Sequence, residues 1–254
     1  MSSLIDYYNS CDENGRLYKD NGHQIEWLTT IKYLEKYIPT GAKIFDCCAG
    51  TGRYSFWLAK KGFEVTAGDL VEKHVELMRT SSATDLLKDI VVCDVLNMPD
   101  IEDNSFDVVM CMGAYYHIHE KEMRKKAVIE CRRILKDNGL LVLAYINRNA
   151  IFLMNFKNNP IDTVEADTVM CDGKNGLFYA SDFGEVEELC EDLKFKKIAD
   201  VSTDGLMYQL KNEINSLNPS QFDKYLEYHF MTCEEQSIKG NSMHGLYFAQ
   251  KIDE

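Results

Sequence analysis

The 254-residue sequence predicts an α/β domain built on a doubly wound, mostly parallel seven-stranded sheet with helices on both faces. Three observations carry that expectation. Short continuous apolar runs alternate with helical patterns between Lys43 and Ile146, the mark of parallel strands covered on both sides. Two glycines, Gly50 and Gly52, separate the first run from the first helix of this alternation, as a ligand-binding turn requires. Finally, 45% of the residues are hydrophobic, only four are proline, and no Gly/Ser-rich linker interrupts the chain. Residues 1–254 therefore read as one domain.

The elements follow in order. "AKIFDCC" is a buried strand, and "RYSFWLAKKG" a helix ended by Gly62. "FEVTAGD" is the second strand, followed by the helix "VEKHVELMRTS". "DIVVCDV" and "SFDVVMCMG" are the third and fourth strands. An amphipathic helix from about Glu120 to Lys136 leads through the turn "KDNG" into "LLVLAYI", the fifth strand. Right-handed crossovers place the carboxyl ends of these strands on one edge, where such sheets bind ligands.

Two regions stand outside the alternation. Residues 1–40 hold a polar, aromatic-rich lead and an amphipathic helix, and read as an N-terminal helical lid. Residues 41–146 form a cofactor-binding half, and 147–254 a substrate-side half. The latter contains an irregular stretch between Asn147 and Ala180, a helix in "SDFGEVEELCEDL", a strand near "FKKIADVS", a helix around "PSQFDKYLEYHF" and the last strand "HGLYFAQKI". The irregular stretch reads as an insertion before that last strand.

The formal charge of −13 argues against a nucleic-acid partner, which needs clustered Lys and Arg. The basic run from Lys121 to Lys136 spreads its charges around a helix and mixes in acids, so it reads as a solvated face. The nine cysteines lie mostly in apolar runs, as Cys47, Cys93, Cys111 and Cys131 do. With no CxxC, no zinc spacing and no signal peptide, they read as reduced thiols of a cytoplasmic protein with no metal site. No apolar run is long enough to span a membrane.

The glycine turn, "DCCAGTGRY", also places Asp46 at the end of the first strand, where a carboxylate can organise the loop. Read as GxGxxG it matches only weakly, with Ser55 in third place. Asp69, closing the second strand, suits the hydroxyls of an adenosine ribose. Asp94 and Val95, closing the third, suit an adenine amine and ring nitrogen. Gly113 and the aromatic pair Tyr115 and Tyr116 follow the fourth strand toward the same cleft. His117 is a candidate general base, because a neutral imidazole accepts protons near pH 7. Tyr7, Tyr8 and Arg16 lie in the lid as candidate substrate or cofactor contacts. His229 and His244 read as ordinary structural residues.

These features in order resemble the class I S-adenosylmethionine-dependent methyltransferase family. "DCCAGTGRY" is similar to its D-x-G-x-G-x-G loop, "VTAGD" to its ribose acid, "CDVLNMP" to its adenine acid and "SFDVVMCMGAYYHI" to its fourth-strand motif. The resemblance covers about Gly41 to Ile146, while "YYNSCDENGRL" and "NSMHGLYFAQK" look like a bacterial small-molecule subgroup. It implies a Rossmann-like fold, S-adenosyl-L-methionine as cofactor and S-adenosyl-L-homocysteine as product. It also implies that Asp46, Ala49, Gly50, Gly52, Asp69, Leu70, Asp94, Val95 and Gly113 bind the cofactor, with His117 and Tyr116 catalytic. The acceptor would be a small molecule, and the protein a monomer or homodimer. Cys48 departs from the pattern by replacing the loop's first glycine, where its Cβ is expected to crowd the cofactor. Three alternatives remain: an NAD(P)-dependent oxidoreductase, a non-catalytic cofactor-binding protein, and an arsenic or thiol methyltransferase using Cys11, Cys171 and Cys233.

Overall fold

The computed structural model describes residues 2–10, 15–165 and 174–252. Cys11 and Cys171 lie outside the described residues, as does the side chain of Arg16. Helix α1 (Ser2–Ser10) and a 3-10 turn (Arg16–Tyr18) precede α2 (Asn21–Tyr37). Then come β1 (Lys43–Asp46), α3 (Arg53–Lys60), β2 (Glu64–Asp69), α4 (Glu72–Arg79), β3 (Asp89–Val92), β4 (Phe106–Cys111), α5 (Lys121–Ile134) and β5 (Leu135–Ile146). The second half holds α6 (Arg148–Asn158), α7 (Pro160–Glu165), the small hairpin β6 (Lys174–Asn175) and β7 (Phe178–Tyr179), and α8 (Glu185–Asp192). It ends with β8 (Phe195–Ser202), α9 (Lys211–Asn215), α10 (Pro219–Thr232), α11 (Gln236–Lys239) and β9 (His244–Lys251).

Seven strands make one sheet in the order β3-β2-β1-β4-β5-β9-β8. All pairs are parallel except those of β9, which runs antiparallel to β5 and β8. Successive residues of the central strands face opposite ways, as the period of two demands. Ile44, Val108 and Val142 enter the core beneath α2, α3 and α4, while Phe45, Val109 and Leu141 enter the core beneath α5 and α8. The order reverses between β1 and β4, so the loops after these two strands diverge and open a crevice.

Several sequence boundaries move. Strand β3 stops at Val92, because Asp94 turns the chain by accepting a hydrogen bond from Leu96 N at 2.9 Å. The expected turn "KDNG" lies inside β5, where Asn138 takes a positive φ of 60° and the register with β4 shifts. Helix α8 starts only after Gly184, which sits at φ +90°. The extra chain of the second half is divided: one part precedes β8 and another, residues 203–243, precedes β9. Among the described residues, no helix is long and apolar enough to cross a membrane.

Helices α2 and α10 start on side-chain caps. Asp20 takes a hydrogen bond from His23 N at 3.0 Å and starts α2, and Leu17 is buried just before it. Asn218 and Gln221 make a reciprocal capping box at α10, with Pro219 in the first turn. His229 of this helix is buried against the Thr29 hydroxyl at 2.8 Å, and burial pulls its imidazole down to about 4. As expected, it is structural.

Candidate active site

The loop after β1 is the floor of the crevice. Gly50 and Gly52 adopt left-handed backbone with φ of 56° and 84°, which side chains other than glycine rarely tolerate. A Cβ built on Gly50 would meet nothing within 4 Å, so a ligand can approach the backbone there. Ala49 ties the loop to β2 through Gly68 O at 2.9 Å.

Two carboxylates flank this turn. Asp46 is buried, with Oδ2 accepting from Ser55 Oγ at 2.7 Å. Its Oδ1 is buried and makes no hydrogen bond. Burial pushes this carboxyl up to about 7, with Cys48 and Asp69 adding to the shift and the Ser55 hydroxyl opposing it. Asp69 accepts Gly50 N at 2.7 Å on one oxygen and Val71 N at 2.8 Å on the other, and His74 Nδ1 lies 3.3 Å from it. It therefore fixes the loop after β1 to the exit of β2, across half-buried Leu70. Each carboxylate oxygen has a second lone-pair direction, so Asp69 can accept further hydroxyl donors. Asp94 is half-buried and has Oδ2 left over after capping its own turn, while the Val95 side chain is buried in the adjacent core.

Cys48 faces the exit of β4. Its Cβ would lie 3.1 Å from a Cβ placed on Gly113, so the cysteine packs against the exit of β4. Its sulfur lies 3.8 Å from that of Cys47. The sulfurs of Cys47, Cys48 and Cys111 all fall within 4.8 Å of one another, a grouping that no spacing along the chain reveals because β4 delivers the third thiol. Hydrogen bonding with Cys111 heads the causes that raise Cys47 and Cys48 above the ordinary thiol range. The thiols thus stay protonated and act as packing.

Gly113→Ala is expected to push on this contact and weaken cofactor binding about five- to tenfold, since overpacking typically costs about 1–3 kcal/mol. Cys48→Gly in the same chain should recover most of that loss in a calorimetric titration. A double variant no better than the single would remove the Cys48 contact from the account.

Helix α1 packs against residues that follow β2 and β4. Tyr8 of α1 places its hydroxyl 2.7 Å from His117 Nε2 and its ring 5.6 Å from that of His74. Tyr7 meets the Phe178 ring edge-on at 6.1 Å. His117 Nδ1 lies 2.9 Å from Leu177 O. A carbonyl only accepts, so Nδ1 carries the proton and Nε2 accepts from Tyr8. Burial lowers the basicity of His117, which keeps this arrangement neutral. Both nitrogens are therefore engaged, and His117, expected as a general base, joins α1 to the β6–β7 hairpin in this structure.

Tyr116 is half-buried, with its hydroxyl donating to Met112 O at 3.4 Å and its ring 4.9 Å from that of His117. Tyr115 requires a correction. It is fully buried in the core beneath α5, its hydroxyl directed at Glu185 at 3.4 Å and its ring beneath Arg124. A substrate cannot reach it. An open recess of about 360 Å³ lies elsewhere, beside Asn147, Phe152 and Phe183.

One polar group was not anticipated. Asp204, fully buried after β8, lies with Oδ2 2.7 Å from His244 Nδ1. It also accepts from His244 N at 3.2 Å and from Ser242 Oγ. Glu26 Oε2 of α2 stands 3.8 Å from the same Nδ1. The sequence signal was faint: a histidine opening the last strand and an acid just past the strand beside it.

The segment from β1 to β5 is the part of the chain that a family model matches. Residues 45–143 match the model of a methyltransferase domain. That segment, residues 45–143, is a methyltransferase domain, the stretch whose motifs resemble the class I S-adenosylmethionine-dependent methyltransferases. A glycine/sarcosine N-methyltransferase of Aphanothece halophytica is 31% identical over 131 residues, 50% of this chain and 48% of that protein. A probable tRNA methyltransferase 9B of Mus musculus is 30% identical over 139 residues, 54% of this chain and 29% of that protein. This chain thus spans about half or less of these curated relatives. The PH0226 protein of Pyrococcus horikoshii OT3 shares the fold with a TM-score of 0.62 and 19% identity, over 97% of this chain and 98% of that one. S-adenosylmethionine is the cofactor of the methyltransferase family, and the residues present fit it. Asp46 offers a buried oxygen without a hydrogen bond, and the space above Gly50 is clear.

Proposed function

We propose that this methyltransferase moves the methyl group of S-adenosylmethionine to a small-molecule acceptor. The observation that supports this best is the covered crevice: Tyr8 spans from His74, beside Asp69, to His117, so α1 stands over the ends of β2 and β4 where a long polymeric acceptor would have to enter. Asp69 takes the ribose hydroxyls, and Asp94 with the Val95 amide takes the adenine. Ala49, Gly50, Gly52 and Leu70 shape the loop, while Asp46 and Gly113 flank the methionine portion. Tyr7, Tyr8 and Arg16 belong to the cover, Tyr116 to the wall.

The bound sulfonium supplies an already reactive methyl. The protein's part is to align the acceptor and exclude water, and alignment alone is worth roughly 7–11 kcal/mol. The formal charge of −13 favours a small acceptor over RNA, whose binding depends on phosphate neutralisation.

Calorimetry is expected to show S-adenosylmethionine or S-adenosylhomocysteine binding at least a hundredfold more tightly than NAD or NADP. Labelled cofactor should transfer its methyl to a metabolite extract and leave tRNA unlabelled. A nicotinamide dinucleotide that binds as well would remove the methyltransferase reading. Labelled tRNA would replace the acceptor class, and cofactor binding with no transfer to either pool would mark a binding protein.

A further inference from the structure

We propose that Cys47, Cys48 and Cys111 form a binding site for one copper(I) ion beneath the loop after β1. The site does not depend on which acceptor the enzyme methylates.

Placement comes first. Asp46 pairs in register with Met110, so Cys47 and Cys111 follow side by side, and Cys47 N still donates to Met110 O at 3.0 Å. Both cysteines are buried in the core beneath α5. Neighbouring strands stand about 4.8 Å apart, which sets these two thiols at a distance that one ion can bridge. In a continuing strand Cys48 would point to the opposite face. Instead the chain turns there, and the Cys48 sulfur comes within 3.8 Å of that of Cys47. The turn thus adds a third sulfur to the two that the sheet holds, all within 4.8 Å of one another.

The donor set selects the ion. A thiolate bond to a small closed-shell ion is about 2.3 Å, so three sulfurs around one such ion stand about 4 Å apart. The three thiols need to draw together by less than about 1 Å to reach that geometry. Zinc takes four ligands in structural sites. Among the described residues, no histidine nitrogen or carboxylate oxygen joins these three sulfurs within the same span. A small set of soft sulfur donors with no nitrogen or oxygen partner suits copper(I). Cys131 of α5 hydrogen-bonds with Cys111 and Cys47 from behind, and is a neighbour of the site outside the group of three.

Charge and access agree with a cation. Hydrogen bonding with Cys111 raises the Cys48 thiol most, and the negative charge of Asp69 adds to it. Burial raises Asp46, with Cys48 adding to that shift. Negative neighbours of this kind oppose bare thiolates and favour a positive ion among them. Cys48 is half-buried, and Gly113 puts no side chain across from it, so an ion enters from that side. Without the ion the thiols keep their protons and pack. Copper(I) forms bonds to the sulfurs, and each thiol that binds gives its proton to water. No electron is transferred.

The test uses the full chain, reduced and free of oxygen, titrated into the copper(I) complex of bicinchoninate with ascorbate present. The parent should withdraw one equivalent of copper and gain an ultraviolet sulfur-to-copper charge-transfer band. Its melting temperature should rise with copper, because an ion held only by the native state stabilises it by mass action. Affinity should rise with pH, since protons leave as the ion enters. Cys48→Ala removes the half-buried ligand. It should weaken copper binding at least tenfold and lose most of the rise in melting temperature. Cys111→Ser should do the same; if its melt without copper shows that it does not fold, Cys48→Ala decides alone. The pair Cys11→Ser and Cys171→Ser should leave the copper equivalent in place. Parental affinity in Cys48→Ala, or loss of the equivalent with Cys11 and Cys171, overturns the site. Zinc(II) bound more tightly than copper(I) overturns the choice of ion, and a parent chain that withdraws no copper overturns both.

Discussion

Asp69→Ala is expected to weaken cofactor binding at least tenfold and to lower the melting temperature together. The affinity loss follows from removing a charged acceptor for two hydroxyls, each such bond being worth about 1.5–3 kcal/mol. The stability loss follows from the structure, since the same carboxylate holds Gly50 N and Val71 N. Alanine would orphan both amides in a site that is largely closed to water. A net cost of about 3 kcal/mol lowers the melting temperature by roughly 6–12 °C in a domain of this size. Asp69→Asn keeps an oxygen for one amide and should fall between parent and alanine in both measurements. Calorimetry and a thermal melt separate the two roles. A lower melting temperature with unchanged affinity would reduce Asp69 to a staple between the loop and β2.

Much of this site is legible from local pattern, and the limit lies where contacts become long-range. Asp46, Gly50, Gly52 and Asp69 announce themselves because a strand, a turn and a helix N-terminus impose their residue types within a few positions. Tyr115 and Tyr116 are neighbours of the same kind after the same strand, and nothing local tells that one turns into the core and the other to the wall. The clasp of Tyr8 on His117 joins residues 109 positions apart, and the bond between Asp204 and His244 joins residues 40 apart. Such pairs depend on how the lid and the chain between β8 and β9 fold back, which no periodicity encodes. Cys48 teaches the same lesson: its departure from the glycine pattern is visible in the sequence, but its neighbour Gly113, 65 positions away, is found only in the fold.

The clasp leads to the second large effect. Removing residues 2–10 is expected to leave a folded protein with turnover reduced at least tenfold, because the cover that aligns the acceptor and excludes water is gone. The cut must spare Leu17, which is buried, and Asp20, which caps α2; a cut at Asn21 would mix lid loss with unfolding. Tyr8→Phe is the gentler probe. It removes one hydrogen bond, typically about 0.5–1.5 kcal/mol, so the lid should open about two- to tenfold more often, read as faster hydrogen exchange in α1. The pH dependence has a definite sign. Burial depresses the basicity of His117, so the clasp is complete above the ordinary imidazole pKa and is lost as pH falls through the lowered folded value. Protonation puts a hydrogen on Nε2, which can then no longer accept from Tyr8. Exchange in α1 of the parent should therefore quicken as pH drops below that range, while Tyr8→Phe, having no bond to lose, should show a much flatter response. If the parent's α1 exchanges at the same rate across that range, His117 does not hold the lid. Full turnover in the chain lacking residues 2–10 would move the role of cover from α1 to the chain between Asn147 and Ala180.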